Sequence, residues 1–70
     1  MKISYDKKAD AVYIEFGKGH FAANKKIDDF TIADVDKNGN IIGIEILQAS
    51  KRIPAKNLSG MSIGNRAVAG

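Results

Sequence analysis

Apolar and polar side chains alternate along most of the first 47 residues of this 70-residue chain. A period of two residues is that of a β-strand, in which successive side chains point to opposite faces of a sheet. The alternation predicts strands at about residues 1–5, 11–16, 21–27, 30–35 and 41–47. The second of these segments has the clearest pattern, and the third is polar enough to be an edge strand.

The pattern changes after the fifth predicted strand. Pro54 suits the first turn of a short helix, where its missing N–H costs nothing, and Gly60 suits the position just past the end of that helix. Residues 61–70 are rich in Gly, Ala and Ser, and they fit an edge strand, a segment packed on a partner or a disordered tail. We therefore predict a mainly β (α+β) fold, an antiparallel meander sheet of four to five strands with one short C-terminal helix. The single domain would span residues 1–58, with a tail at 59–70.

The last two predicted strands form a hairpin around the turn Asp36–Asn40, in which Gly39 supplies a left-handed backbone conformation. Their large apolar side chains favour a register in which isoleucines face each other. The pairs expected in that register are Phe30 with Ile46, Ile32 with Ile44, Thr31 with Glu45, Val35 with Ile41, and Asp34 with Ile42. Both faces of the hairpin would then carry apolar side chains. We expect the short helix to cover one face and a second subunit to cover the rest.

Residues 34–45 can also be interpreted as a calcium-binding loop. They match the EF-hand pattern at every specified position, with Asp34, Asp36, Asn38 and Glu45 as oxygen ligands. An EF-hand needs a helix on each side of the loop, whereas both flanks here are β-branched and have period two. We favour the hairpin with no metal or other cofactor, and calcium binding is the alternative.

The size and composition of the chain limit its chemistry. A domain this small buries only about 60% of the surface that its unfolded form exposes, and it usually needs further support. The chain has no cysteine and one histidine, His20, which excludes disulfides and a Cys/His zinc site. We expect a homodimer instead. There is no apolar run of the ~20 residues that span a membrane, and no signal-peptide pattern, so we expect a cytoplasmic location.

Positive charge is concentrated in the last third of the chain. Residues 48–70 contain no acidic residue and four basic ones, Lys51, Arg52, Lys56 and Arg66, whereas residues 1–47 carry seven lysines and eight carboxylates. No interleaved aromatic residues or recognisable reading helix accompany these charges. We favour a solvated basic segment, with weak nucleic-acid binding as the alternative.

Polar residues within the β-rich part are the candidate contacts for a ligand or partner. Glu45 lies between isoleucines and needs a partner there, for which we expect a lysine or arginine from a neighbouring strand or subunit. Asp6 suits the first turn, where it can accept a hydrogen bond from the backbone two residues on. Gly43 in mid-strand predicts a bulge or a close backbone approach. The full candidate set is Tyr5, Asp6, Asp10, Tyr13, Glu45, Lys51 and Arg52. No nucleophile and base are tied together by spacing, so we expect no catalytic residues and no enzyme.

Four stretches of the chain form a distinctive set, Lys2-Ile3-x-Tyr5-Asp6, Ala9-Asp10-Ala11-x-Tyr13-Ile14-x-Phe16, Asp34-Val35-Asp36-x-x-Gly39-x-Ile41-Ile42-Gly43-Ile44-Glu45-Ile46-Leu47 and Ala49-Ser50-Lys51-Arg52. Together they resemble the YuzE-like family of small bacterial and archaeal proteins, a domain of unknown function numbered 2283. The resemblance covers about residues 1–53. It implies an antiparallel sheet with a small helical element, and it favours the hairpin over the calcium loop. Members of this family look like frequent neighbours of small toxin-like proteins, and the resemblance therefore implies an antitoxin-like role for this chain. We expect a non-enzymatic interaction module that binds a small protein partner.

Overall fold

The structure is a computed structural model that describes residues 1–63, with side chains described for residues 1–61. The strands are β1 (Lys2–Asp6), β2 (Ala11–Glu15), β3 (Ala23–Asp28), β4 (Thr31–Val35), β5 (Ile41–Leu47) and β6 (Ser62–Ile63), and the helices are α1 (Ala49–Arg52) and α2 (Ala55–Leu58). The predicted mainly β fold is confirmed, and each of the five predicted strands is present.

Two short helices stand where the sequence predicts one. Pro54 is the N-cap of α2, and Ile53 before it is extended with φ −122° and ψ 130°. The ring of a proline disfavours helical backbone at the preceding residue, so α1 ends there and α2 begins anew. The hydrogen bonds from the Asn57 and Leu58 amides to the Pro54 carbonyl, at 2.9 and 3.2 Å, form the first turn of α2.

The strands form one six-stranded sheet in the order β3-β4-β5-β2-β1-β6. The first five pair antiparallel as predicted, but β2 pairs with β5 rather than with β3. This arrangement leaves β3 at the edge, where all six of its residues are exposed. At the opposite edge β6 pairs in parallel with β1, next to Tyr5. The edge-strand alternative for the start of the 61–70 segment is therefore the one observed, and residues 64–70 lie outside the described part of the chain.

The predicted register of the central hairpin is correct only beside its turn. Val35 pairs with Ile41 as expected, but a bulge follows and Asp34 pairs with Gly43, which leaves Ile42 as the extra residue. Beyond the bulge the strands are shifted by one residue, so that Ile32 lies opposite Glu45 and Thr31 opposite Ile46. The bulge removes Asp34 from the apolar face on which the predicted register had placed it, and this explains why the shifted register is preferred.

One face of the sheet is covered by the helices, and we call it the helix face. Its side chains include Ile3, Tyr5, Val12, Ile14 and Ile46, which pack around Ala49 of α1 and Leu58 of α2 together with Ile53 and Met61. Val12 and Ala49 are fully buried. This small cluster is the hydrophobic core, and it lies over β1 and the two central strands, β2 and β5.

Candidate functional site

The opposite face of the sheet, which we call the open face, brings the candidate residues together. Direct pairing of residues across neighbouring strands places them on the same side of a sheet. The paired residues form two adjacent rows of side chains on one face, Ser4–Tyr13–Glu45–Ile32 from β1 to β4 and Glu15–Gly43–Asp34–Asn24 from β2 to β3. No helix of the described chain packs on this face. Tyr13 and Glu45, two of the predicted contact residues, lie at its centre.

Gly43 allows Tyr13 to lie close to the sheet. A Cβ atom at position 43 would be 2.8 Å from Cζ of Tyr13 and closer still to its hydroxyl. The tyrosine side chain therefore occupies the space above the glycine, toward Asp34. Burial and the Asp34 carboxylate both raise the pKa of Tyr13. The close approach predicted for Gly43 is confirmed, and the residue that approaches it is Tyr13.

Asp34 and Glu45 form a pair of neighbouring carboxyl groups on the open face. Asp34 is only 7% exposed, and its Oδ1 accepts a hydrogen bond of 2.6 Å from the side-chain amide of Asn24. Partial burial raises the pKa of Glu45, and the hydrogen bond and negative charge of Asp34 raise it further. Two adjacent carboxyls repel each other when both are ionised, and this repulsion favours the protonated form of Glu45.

A cation from a neighbouring strand, one of the two partners expected for Glu45, is not found among residues 1–63, and a cation from a second subunit stays a prediction. The two ion pairs of that part of the chain are Lys26–Asp29 and Arg52–Asp28, and neither involves Glu45. The structure pairs Glu45 with another acid because the bulge turns Asp34 to the same face. Neither Asp34 nor Glu45 therefore has an ion-paired cation among these residues.

Tyr5 and Asp10 form a second cluster at the end of the sheet, where they connect it to α1. The Tyr5 hydroxyl donates a hydrogen bond of 2.7 Å to Asp10 Oδ1, and the Ser50 amide and hydroxyl donate to the same carboxylate at 3.0 and 2.7 Å. These donors lower the pKa of Asp10, the Tyr5 bond having the largest effect, and the carboxylate raises the pKa of Tyr5. Gln48 makes no side-chain cap to α1, so Asp10 caps this helix from the β1–β2 turn. The cluster has a structural function.

Asp6 has the structural function that the sequence predicts. Its Oδ1 accepts hydrogen bonds from the amides of Lys8 and Ala9 at 3.0 and 3.2 Å. The first of these is the bond to the backbone two residues on, which confirms the predicted turn.

Arg52 is engaged with the β3–β4 turn. Its guanidinium donates a hydrogen bond of 3.1 Å to the Thr31 hydroxyl, lies 3.8 Å from the Asp28 carboxylate and stands 5.7 Å from the centre of the Phe30 ring. Of the other basic residues considered for nucleic-acid binding, Lys51 and Lys56 are exposed, and Arg66 lies beyond the described residues. Arg52 is therefore held against the β3–β4 turn, unlike the exposed Lys51 and Lys56.

The residues of the predicted calcium loop are divided between two places. Asp36 accepts hydrogen bonds from the amides of Asn38 and Asn40, both 2.9 Å, and these lower its pKa. Gly39 has φ +83°, as the predicted hairpin turn requires. Asp34 and Glu45 lie on the open face instead. No group of three or more histidine, cysteine, aspartate or glutamate residues suited to a metal ion occurs in the described part of the chain.

His20 lies in the connection between β2 and β3, beside two open clefts of about 460 and 420 Å³ that share it and Gly19. The larger cleft extends to the β4–β5 turn at Asp36–Asn38. The clefts are at the end of the sheet, and neither includes the carboxyl pair of the open face.

Sequence reasoning named Tyr13, Asp34 and Glu45 and grouped the last two only as calcium ligands, and it missed Asn24 and Ser50. The predicted meander already pairs β3 with β4, but it does not give the register that places Asn24 opposite Asp34. Ser50 joins Asp10 across forty positions of sequence. Gly43 was the available clue, because a glycine inside an apolar strand indicates a close approach.

Comparison with known proteins identifies a family and nothing more. Among the described residues no helix has the length and apolar character needed to cross a membrane. No curated protein and no solved structure matches the chain. The family model for proteins of unknown function named DUF2283 matches residues 2–50, which include every strand from β1 to β5. The chain therefore belongs to the DUF2283 family.

Proposed function

We propose that the protein is a non-enzymatic interaction module that binds another protein through the open face of its sheet. The observation that supports this proposal is the difference between the two faces. The helix face is covered by α1 and α2, whereas the open face has no helical cover within residues 1–63. Tyr13, Ile32 and Leu47 are half-buried there without a packed layer above them. Apolar side chains of this kind, mixed with polar groups, are typical of protein contact surfaces.

Two adjacent carboxyl groups also occur in some acid–base catalytic sites, where they share a proton. Catalysis further requires a site that holds the substrate and excludes water. Asp34 and Glu45 instead lie in the plane of a sheet face, outside the two clefts described above, and Asp34 is engaged with Asn24. A contact surface accounts for this geometry without a reacting substrate.

An antitoxin needs only such a contact surface, since it inhibits a small toxin by covering it. The resemblance of the chain to small proteins found beside toxins supports this role for the module. The partner would be the product of a neighbouring gene, and the open face would be the surface that it covers.

Copurification with the product of the adjacent gene tests the proposal, with two variants that carry the same substitution. Ile32→Ser removes an apolar side chain from the open face. Ile27→Ser removes one from the bulge of the edge strand, where Ile27 is 57% exposed. We expect Ile32→Ser to weaken the complex and Ile27→Ser to leave it intact. The proposal is wrong if no neighbouring product binds, or if the two variants have the same effect.

The module is also expected to self-associate, because a domain of this size has a small core. Light scattering over a concentration series measures the mass directly. A mass that stays at that of one chain up to millimolar concentration would contradict the dimer.

A further inference from the structure

We infer that the partner of the open face is a basic, partly apolar protein segment whose arginine binds the neighbouring carboxyls of Asp34 and Glu45. The inference rests on the proposed function, and it adds the chemistry of the partner. It concerns the open face as a whole, in which the carboxyl pair lies among Tyr13, Ile32 and Leu47.

The distribution of charge on the open face supports a cationic partner. Its middle rows carry Glu15, Asp34 and Glu45, and no lysine or arginine of residues 1–63 forms an ion pair with any of them. The lysines of this face lie on its outer strands: Lys2 on β1 is opposite Glu15, and Lys26 on β3 is paired with Asp29 at 3.1 Å. The negative charge that no cation offsets is therefore that of Asp34 and Glu45, and a basic partner complements it.

The carboxyl pair is also preorganised for contact with a cation. Asp34 is already buried and fixed by Asn24, and Glu45 is half-buried, so a partner removes little further water from them. The guanidinium of arginine has a planar fork of donors that can bind two carboxyl groups at once, whereas the ammonium of lysine is a single point of charge. Arginine is therefore the better fit for two adjacent acids.

A second copy of the chain is a less favourable occupant of the same face. A two-fold contact through the open face would set one carboxyl pair against the other. The titratable groups that face Glu45 are Tyr13 on β2 and Asp34 on β4, with Glu15 further along β2, and none of them is a cation. Self-association here would strengthen as the pH falls and the acids take up protons. Binding of an arginine would strengthen as the pH rises and they lose them.

The experiment uses the full-length, ¹⁵N-labelled protein and a defined probe, a capped peptide of alternating leucine and arginine. A peptide with glutamine in place of arginine has the same apolar content without the charge. Glu45→Gln removes one negative charge from the carboxyl pair. Asp29→Asn removes one from an exposed turn, where its ion-pair partner is Lys26 at the β3 edge rather than the carboxyl pair, so the net charge of the protein changes equally in both variants. Circular dichroism confirms that each variant is folded.

We expect the arginine peptide to shift the amide resonances of Tyr13, Ile32, Gly43 and Glu45. The Glu45→Gln variant should bind it about tenfold more weakly, because a hydrogen bond between charged groups is lost. The Asp29→Asn variant should change the affinity by less than about twofold, as an exposed charge does. Binding should weaken as salt is added.

Three results would overturn the inference. They are shifts confined to the β3 edge or the helix face, equal affinity of the glutamine peptide, and equal effects of the two charge variants. These results are distinguishable from a failure of the proposed function. The adjacent gene product could bind Ile32→Ser more weakly while the peptide binds Glu45→Gln and Asp29→Asn equally well. In that case the open face is a contact surface, but it does not bind an arginine of its partner.

Discussion

Replacing Gly43 with alanine tests whether the open face depends on the close approach of Tyr13. A Cβ at this position would collide with the tyrosine hydroxyl, and it would lie 2.8 Å from Cζ of the same ring and 3.1 Å from the carbonyl oxygen of Ile14. Carbon atoms in contact are normally about 3.5–4.0 Å apart. The ring must therefore move away from Gly43, and the two adjacent rows of side chains that contain Asp34 and Glu45 are disturbed with it.

Two opposing effects determine the size of the change. Alanine in a strand is more favourable than glycine by roughly 0.5–1 kcal/mol, because glycine loses more backbone entropy on folding. Forcing an extra carbon into a packed position costs about 1–3 kcal/mol. The collision with Tyr13 therefore outweighs the entropic gain, and we expect Gly43→Ala to reduce the free energy of unfolding by about 1–2 kcal/mol. For a domain of this size that corresponds to a fall in Tm of roughly 4–8 °C for each kcal/mol.

Urea denaturation of four proteins measures the coupling between the two positions. The proteins are the natural chain, Gly43→Ala, Tyr13→Ala and the double variant. In the Tyr13→Ala background the collision is absent, so Gly43→Ala should be neutral or slightly stabilising, and the coupling energy should be about 1–2 kcal/mol. Tyr13→Phe removes only the hydroxyl and leaves Cζ in place, so it should relieve part of the cost. If Gly43→Ala destabilises equally with and without the tyrosine ring, our account of this face is refuted.

The two acidic clusters should show opposite pH dependence of stability. Hydrogen bonds from Tyr5 and Ser50 lower the pKa of Asp10. The stability that Asp10 contributes is therefore present above its ordinary pKa of 3.8 and is lost as the pH falls further. Asp10→Asn should flatten the acid limb of a plot of Tm against pH. Burial and Asp34 raise the pKa of Glu45, so the contribution of Glu45 to stability should be most favourable below its ordinary pKa of 4.5 and should fall as the pH rises beyond it. Glu45→Gln should abolish that fall. Millimolar calcium should leave Tm unchanged, because Asp36 already binds the amides of its own turn; a clear rise in Tm would restore the calcium-loop hypothesis.

The strands could be predicted from the sequence because their signal is local. Alternation of apolar and polar residues depends only on near neighbours, and all five strands that it predicted are present. The order of the strands in the sheet could not be predicted from such a local pattern. Pairing of β2 with β5 brings together segments separated by the whole of β3 and β4, and nothing within either segment specifies that partner.

The carboxyl pair could not be predicted for a related reason. The sequence suggested an uninterrupted ladder beyond the turn, in which isoleucines face each other and Asp34 lies among them. One extra residue at Ile42 reverses the faces of the remaining pairs and brings Asp34 beside Glu45. The energy that favours the bulge is the cost of burying a carboxylate among apolar side chains. That cost depends on the assembled sheet rather than on any short stretch of sequence.

The bond between Asp10 and Ser50 has a consequence for the order in which the chain folds. The two residues are forty positions apart, and every strand from β2 to β5 lies between them. Closing such a long loop costs entropy that only an already formed sheet can offset. The helical segment should therefore dock last during folding and open first in the native state. Hydrogen exchange should be fastest for the amides of α1 and α2 and slowest for those of β2 and β5, which have a paired strand on each side.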